Sequence, residues 1–265
     1  MKALLTKYGT NISSIWNLAA PLSVDTAKDP SSAMRVTVDG MRNVLEAMRH
    51  TGISRICFSD SIGSFGSSSP RDNCTAGWLL DNPDQDPGSD YGVQKRMCRN
   101  LLSQYRDEHG FDTRFVVIPG VLHSENTWGG GTTEYALDAL VAAHRNQHYT
   151  CPIPEHVQLP MIYIDDLVRG MILIDKCPKD LLLEKQSGYN LAGFSFSPKQ
   201  LFDEIQKHIP RFTYSFDESL NPFAATFAQL WPDSLSGMEA SRDFSFQSEI
   251  LLADTVQKIL LKHRL

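Results

Sequence analysis

A tyrosine and a lysine stand four residues apart in the segment Tyr91-Gly-Val-Gln-Lys95. Because residues four apart lie on one face of a helix, both side chains can reach the same ligand. A free phenol is a poor base at neutral pH, since it titrates near pH ~10. A neighbouring ammonium favours the phenolate, so this pair suits removal of a proton from a hydroxyl group. On spacing alone, a surface helix with a solvated Lys95 is an equally good interpretation.

Two upstream segments carry hydroxyl and small side chains directly after predicted strands. Residues 58–66 contain three serines and follow an apolar run. A hydroxyl at the carboxyl end of a strand can hydrogen-bond a substrate oxygen, although a plain Ser/Gly turn has the same composition. Asn17-Leu-Ala-Ala20 has small side chains that allow either a ligand or a helix to approach the backbone. Both segments indicate a site at one edge of a sheet.

Short apolar runs alternate with helical periodicity in the first half of the chain. Strands are predicted over 14–20, 55–59 and 112–119, and helices over 29–51 and 91–109. Strands that alternate with helices of this length predict an α/β fold with a parallel sheet covered on both faces. In such folds ligands bind at the carboxyl ends of the strands.

The second half of the chain predicts a smaller, mixed α+β cap. Strands are predicted over 161–164 and 189–192, and helices over 133–146, 167–176, 199–208 and 253–262. Asp165 and Asp166 are predicted to cap the helix that follows them, and Ser197-Pro198 to begin another. Capping also explains the two aspartates more simply than paired acid–base chemistry does.

Composition excludes several classes of protein. The formal net charge of −6 argues against broad attraction to nucleic acid or anionic membranes. No apolar run is long enough to span a bilayer. Five cysteines without C-x-x-C spacing indicate neither a zinc site nor a disulfide framework, which favours a reducing compartment. His144 and His148 share helical spacing but have no further ligands nearby, so no metal site is predicted.

The motifs occur in an order that resembles the extended short-chain dehydrogenase/reductase family, the NAD-dependent epimerases and dehydratases. They are Asn17-Leu-Ala-Ala20, the serine segment ending in Phe65-Gly66, Tyr91-x-x-x-Lys95 and Pro119-Gly120. Further segments are similar to the short-chain type of L-threonine 3-dehydrogenase. These are 129–136, 159–166, 189–198, 205–210, 231–235 and 240–244. The resemblance covers nearly the whole chain.

The resemblance implies a fold, an activity and an assembly. Residues 1–125 would form a partial, Rossmann-like NAD-binding domain, and residues 126–265 the substrate-binding cap with late sheet strands. The activity would be oxidation of the 3-hydroxyl of L-threonine by NAD to 2-amino-3-oxobutanoate, a step of threonine catabolism. A homodimer would form through helices 39–50 and 91–109, with a stripe of Val93, Met97, Leu101 and Tyr105. The implied location is the cytoplasm or the mitochondrial matrix.

The resemblance also assigns roles to individual residues. Tyr91 would be the base, Lys95 would favour its phenolate and hold the nicotinamide ribose, and Ser61 would hydrogen-bond the reacting hydroxyl. Two further sets would surround the ligands. The amino-acid pocket would be shaped by Ser23, Thr132, Thr133 and Trp231, and the nicotinamide flanked by Ala19, Ala20 and Pro119.

Several features depart from the family pattern. The 265 residues hold no G-x-G-x-x-G. The expectation is that the first two βα units are missing, so that strand 14–20 becomes an edge. Thr37 replaces an asparagine of the family, Asp60 a serine of threonine dehydrogenases and Glu134 an aspartate. The alternatives are a nucleotide-sugar epimerase or dehydratase, and a truncated, non-catalytic protein that only binds its relatives through its helices.

Overall fold

The central sheet has four parallel strands in the order β1-β2-β3-β7. The computed structural model describes residues 2–8, 11–125 and 131–262. The four strands are β1 (Ile15–Asn17), β2 (Arg55–Ser61), β3 (Asp112–Ile118) and β7 (Gly188–Asn190). β2 and β3 pair over their full lengths and are almost entirely buried, as expected for strands covered on both faces. The predicted α/β fold with a parallel sheet is confirmed.

β1 differs from the strand predicted over 14–20. It is only three residues long, pairs with β2 alone and lies at the edge of this sheet. Ala19 and Ala20 therefore follow the strand instead of ending it. Because the apolar run continues past Asn17, the last paired residue, the sequence pattern predicts a longer strand than the structure has.

The remaining strands form two small sheets. β4 (Gly120–Leu122), β6 (Leu159–Tyr163) and β8 (Phe194–Phe196) have the order β4-β6-β8, with β6 and β8 antiparallel. β5 (Tyr149–Cys151) pairs in parallel with β9 (Tyr214–Phe216). Of these five strands the sequence predicted only β6, because three-residue strands are too short to show a periodicity.

Helices cover both faces of the central sheet. They are α1 (Lys2–Tyr8), α2 (Ser23–Lys28), α3 (Pro30–Met34), α4 (Gly40–Arg49), α5 (Ala76–Asp81), α6 (Asp90–His109), α7 (Tyr135–His144), α8 (Ile164–Lys176), α9 (Pro198–His208), α10 (Pro222–Leu230), α11 (Met238–Phe244) and α12 (Leu252–Lys262). Within the described ranges, none of them is both long and apolar enough to cross a membrane. The larger apolar core includes α4 and α6, and a second core contains side chains of α8 and α11.

The helix predicted over 29–51 is present but is not regular. A π-helical segment, Arg35–Asp39, separates α3 from α4. One extra residue in a turn leaves the apolar periodicity on either side intact, so the sequence pattern does not reveal it.

α6 has clear start and stop residues. The Ser89 side chain accepts a hydrogen bond from the Gly92 N–H at 3.1 Å. Gly110 ends the helix in the left-handed conformation with φ +70°, which glycine adopts without strain. These caps explain why the predicted helix over 91–109 agrees with the structure to one residue.

The predicted capping role of Asp165 and Asp166 is wrong. α8 begins at Ile164, with Tyr163 in the N-cap position. Asp166 instead accepts the backbone N–H groups of Glu249 and Ile250 at 2.8 and 2.9 Å, and it is paired with Arg169. The carboxylate thus fastens the segment that leads into α12.

The hydrogen bonds of the Asp166 carboxylate predict that the stability of the protein depends on pH. Burial by itself would raise the pKa of Asp166. The hydrogen bonds from Arg169, Ser248 and the two N–H groups outweigh that effect, so the pKa of Asp166 lies below its usual value. A depressed folded-state pKa contributes stability that is present above about pH 4 and is lost as the pH falls through the folded value. We expect Asp166→Asn to lose roughly 1–3 kcal/mol of unfolding free energy at neutral pH. Urea denaturation should show a smaller loss near pH 3, and an equal loss at both pH values would contradict this account.

Candidate active site

The carboxyl ends of β1, β2 and β3 open into a cavity of about 380 Å³. The structure brings together nearly all of the predicted site residues on its wall: Ala20, Ser23, Ser61, Tyr91, Lys95, Pro119, Thr132, Thr133 and Trp231. Ala19 is exposed and is not among the lining residues. Gly129 and Gly130 of the G-G-G-T-T segment lie outside the described residues, whereas Gly131 lines the cavity.

The first two turns of α6 carry Tyr91 and Lys95 into the cavity. Lys95 is only 3% exposed, so the solvated-lysine interpretation is excluded. Its Nζ donates to the carbonyl oxygen of Ser59 at 2.6 Å. The same Nζ lies 5.3 Å from the centre of the Tyr91 ring. The ammonium is therefore held by the end of β2 and placed beside the phenol.

Ser61 is the last residue of β2. Its Oγ accepts the N–H of Gly63 at 3.1 Å and begins a single 3-10 turn, Ile62–Ser64. A Cβ on Gly63 would lie 2.9 Å from Cδ1 of Tyr91. Because Gly63 has no side chain, the turn packs directly against the Tyr91 ring, and both Ser61 and Tyr91 line the cavity.

Gly92 packs closely against the same turn from the side of α6, and its substitution should be destabilising. A Cβ there would lie 2.2 Å from the Gly63 carbonyl oxygen and 2.5 Å from Cβ of Pro87. Neither neighbour is the flexible end of a side chain, so α6 or the turn must move. We expect Gly92→Ala to cost about 1–3 kcal/mol of stability by overpacking. Gly77→Ala is the matched control, since its Cβ meets nothing within 3.8 Å and helical alanine is favoured. Equal thermal unfolding of the two variants would contradict the prediction.

The cavity lining also joins α2 to the segment before α7. The hydroxyl groups of Ser23 and Thr132 lie 3.0 Å apart, and the Thr132 N–H also donates to Ser23 Oγ at 3.3 Å. Trp231 is 3% exposed, and its indole N–H has no hydrogen-bond partner among the described residues. A buried donor of this kind is available for an oxygen of a ligand.

Sequence reasoning missed His123 as a cavity residue. Its Nδ1 accepts the Glu125 N–H at 3.2 Å, which leaves Nε2 as the donor of the neutral ring. Burial lowers the pKa of His123, with a smaller lowering from Lys262 and an opposing effect of Glu125. The residue directly follows β4, and a strand too short to be predicted offered no means of placing it. Asp60 and Glu134, identified in the sequence only as departures, also line the cavity.

None of the cysteines is among the described residues that line the cavity. All five cysteines are buried and free. Burial raises the pKa of Cys74 to about 12, so that thiol stays protonated at neutral pH. Among the residues the structure describes, no three His, Cys, Asp or Glu side chains are grouped as a metal would require.

Comparison with known proteins identifies the family. The family model for NAD-dependent epimerases and dehydratases matches residues 2–183, well over half of the chain. The chain belongs to this family. A curated member from Staphylococcus aureus (strain USA300), an uncharacterized epimerase/dehydratase, is 33% identical over 94% of this chain and 78% of its own length. The predicted family is confirmed.

Solved structures of L-threonine dehydrogenases have the same fold. The GalE-like enzyme from Cupriavidus necator, in its holo form, is 32% identical, with a TM-score of 0.87 over 98% of this chain and 80% of that chain. The enzyme from Phytophthora infestans is 30% identical, with a TM-score of 0.88 over 98% of this chain and 82% of that chain. The Rossmann-like architecture expected from the sequence is confirmed.

The donors in the cavity fit the nicotinamide end of the family's cofactor. An ammonium has three N–H donors, and Lys95 gives one to Ser59, so two remain for ribose hydroxyl groups. Pro119 and Gly120 line the same cavity with backbone and small side chains. The pyrophosphate donors supplied by G-x-G-x-x-G in this family are not among the 265 residues.

Proposed function

We propose that the chain carries the catalytic and substrate-binding residues of an NAD-dependent dehydrogenase for the 3-hydroxyl of L-threonine. The observation that supports this best is that Ser61, Tyr91 and Lys95 line the same cavity as Thr132, Thr133 and Trp231. The fold similarity to L-threonine dehydrogenases adds to this support.

The residues suggest how the reaction proceeds. Tyr91, as phenolate, removes the proton from the 3-hydroxyl, and Ser61 hydrogen-bonds the same oxygen. Lys95 favours the phenolate and orients the nicotinamide ribose. NAD, when bound, accepts the hydride from C3. The hydroxyl oxygen loses a proton and C3 loses a hydride, so that a carbonyl group forms and the product is 2-amino-3-oxobutanoate.

Four further lining residues, Thr132, Thr133, Glu134 and Trp231, suggest how a small amino acid would be selected. The carboxylate of Glu134 suits an ammonium group, and the Trp231 N–H and the two threonine hydroxyls suit a carboxylate. A nucleotide sugar instead carries a diphosphate, which arginine side chains usually bind. The described lining residues include no arginine. This composition favours threonine over the epimerase and dehydratase alternative.

The experiment uses an extended chain in which a family G-x-G-x-x-G unit is fused before Met1. Formation of NADH is measured with L-threonine and L-serine, whereas conversion of UDP-glucose and UDP-galactose is followed by analysis of the sugar products, because epimerisation and dehydration return the hydride and form no net NADH. We expect reduction of NAD with L-threonine, and none with L-threonine for the 265-residue chain itself, which lacks the pyrophosphate donors. Conversion of a UDP-sugar without threonine oxidation would support the alternative enzyme. No turnover of any substrate by a folded extended chain would support the non-catalytic alternative.

We also propose that the protein forms a homodimer through α6. Val93, Met97 and Leu101 on α6 are partly exposed, but Tyr105 is buried and bonded to Glu46, so it does not belong to the stripe. We expect light scattering to show a dimer of the extended chain, and Met97→Glu to shift it to a monomer by burying a charge at the interface. Asn100→Glu, at an exposed position of the same helix, is the control. A monomeric parent protein would overturn the proposal.

The proposed location remains a reducing compartment, the cytoplasm or the mitochondrial matrix. Five buried, unpaired thiols are typical of proteins kept in reducing conditions. We propose no nucleic-acid partner, because of the net charge of −6.

A further inference from the structure

A buried ion pair lies next to the proposed catalytic residues in the chain and includes Asp60, which lines the cavity. Arg99 donates to Oδ2 of Asp60, and their side chains are 4% and 0% exposed. Arg99 stands one helical turn after Lys95 on α6, and Asp60 stands between Ser59 and Ser61 on β2. The pair therefore joins the two elements that carry the proposed catalytic side chains.

The second oxygen of Asp60 organises the turn that follows. Oδ1 accepts the N–H of Ser61 at 2.8 Å and also the hydroxyl of Ser64. Lys95 bonds the preceding carbonyl, that of Ser59, at 2.6 Å. Ser59 and Asp60 of β2 are thus bonded to Lys95 and Arg99, which lie on consecutive turns of α6. Ser61, the next residue of β2, is held by its N–H bond to Asp60.

The pair also sets the balance of charge under the cavity. Burial raises the pKa of the Cys98 thiol to about 12, with smaller effects of Lys95, Asp60 and Arg99. Without Asp60, two buried cations would stand side by side on one helix face. The other titratable groups that line the cavity are Tyr91, His123 and Glu134.

We propose that Asp60 and Arg99 are positioning residues of this site. Their hydrogen bonds hold Ser61 and Lys95 in register, and their opposite charges cancel, so that Lys95 acts on Tyr91 as the single net cation. The catalytic part of this inference rests on the proposed function, in which Tyr91 is the base. The electrostatic part concerns the free protein alone.

The test is an ultraviolet titration of the Tyr91 phenolate in the 265-residue chain, without cofactor or substrate. Each variant is compared with the same variant carrying Tyr91→Phe, so that the difference spectrum isolates this one phenol. Tyr91 and Arg99 are eight residues apart on the helix, about 12 Å along its axis. At that separation a single unbalanced charge is expected to move the midpoint by roughly one pH unit.

Opposite shifts are expected for the two single variants. Asp60→Asn keeps an acceptor for Ser61 but leaves Arg99 unbalanced, so the midpoint should fall. Arg99→Met leaves Asp60 unbalanced, so the midpoint should rise. The double variant should return to the parent value. If Asp60→Asn does not fold, Arg99→Met and the double variant suffice, because the first should raise the midpoint and the second should restore the parent value.

A matched control separates electrostatics from general loss of stability. Arg114→Met removes a fully buried arginine from its pair with Asp112, at the opposite end of β3. It should lower the melting temperature without moving the phenolate midpoint. Unshifted midpoints in both single variants, or shifts in the same direction, would overturn the inference. Failure of the extended chain to oxidise L-threonine would overturn the proposed function instead, and would leave this titration unaffected.

Discussion

Tyr91→Phe is expected to reduce the rate of threonine oxidation by the extended chain on the order of 10³-fold. The substitution removes only the hydroxyl, so the ring still packs against Gly63 and the ammonium of Lys95 stays in place. No other phenol lines the cavity in the part of the chain that the structure describes. The proton of the 3-hydroxyl would then pass to water, which is neither positioned nor sufficiently basic.

The measurement is kcat with saturating L-threonine and NAD, together with the melting temperature. Tyr105→Phe is the matched control, since it removes a hydroxyl from the same helix that is bonded to Glu46, away from the cavity. Burial, with a smaller contribution from Glu46, raises the pKa of Tyr105 to about 12, so that phenol stays neutral. The control should retain its rate. A parent-like rate of the Tyr91 variant would remove Tyr91 from the role of base.

Lys95→Met should have the next largest effect and should change two properties at once. The KM for NAD should rise, because the N–H donors that fit the ribose are lost. The acidic limb of the pH profile, on which the rate falls as the base is protonated, should move to higher pH, because the phenolate is no longer favoured by an adjacent cation. The methionine still fills the space beside Phe58, over whose ring the ammonium lies at 4.9 Å.

Kinetics across a pH series check this expectation. Lys199→Met is the control, because Lys199 lies on α9 and is paired with Asp203 at the surface. Its profile should match that of the parent. A Lys95 variant with an unchanged pH profile and only a raised KM would limit Lys95 to cofactor binding.

Local chemistry explains which predictions from the sequence are correct. Ser89 and Gly110 bound α6, and the apolar runs of β2 and β3 define the buried centre of the sheet. These features depend on neighbours within one or two turns of the chain, so composition and spacing are sufficient to find them. The wrong prediction for Asp166 has the same cause. An aspartate at this position of the sequence is typical of a helix cap, but its side chain bonds to residues 82 to 84 positions away, which local sequence does not reveal.

By itself the sequence determined the α/β class, the family and a tyrosine and a lysine on one helical face. Only the tertiary structure decided that Lys95 is buried on the end of β2, that Ser23 meets Thr132 and that His123 lies on the cavity wall. It alone showed that Asp60 is paired with Arg99, 39 residues away. The physical reason is that periodicity records which side of an element is apolar. Burial and charge pairing depend on which distant segment covers that side.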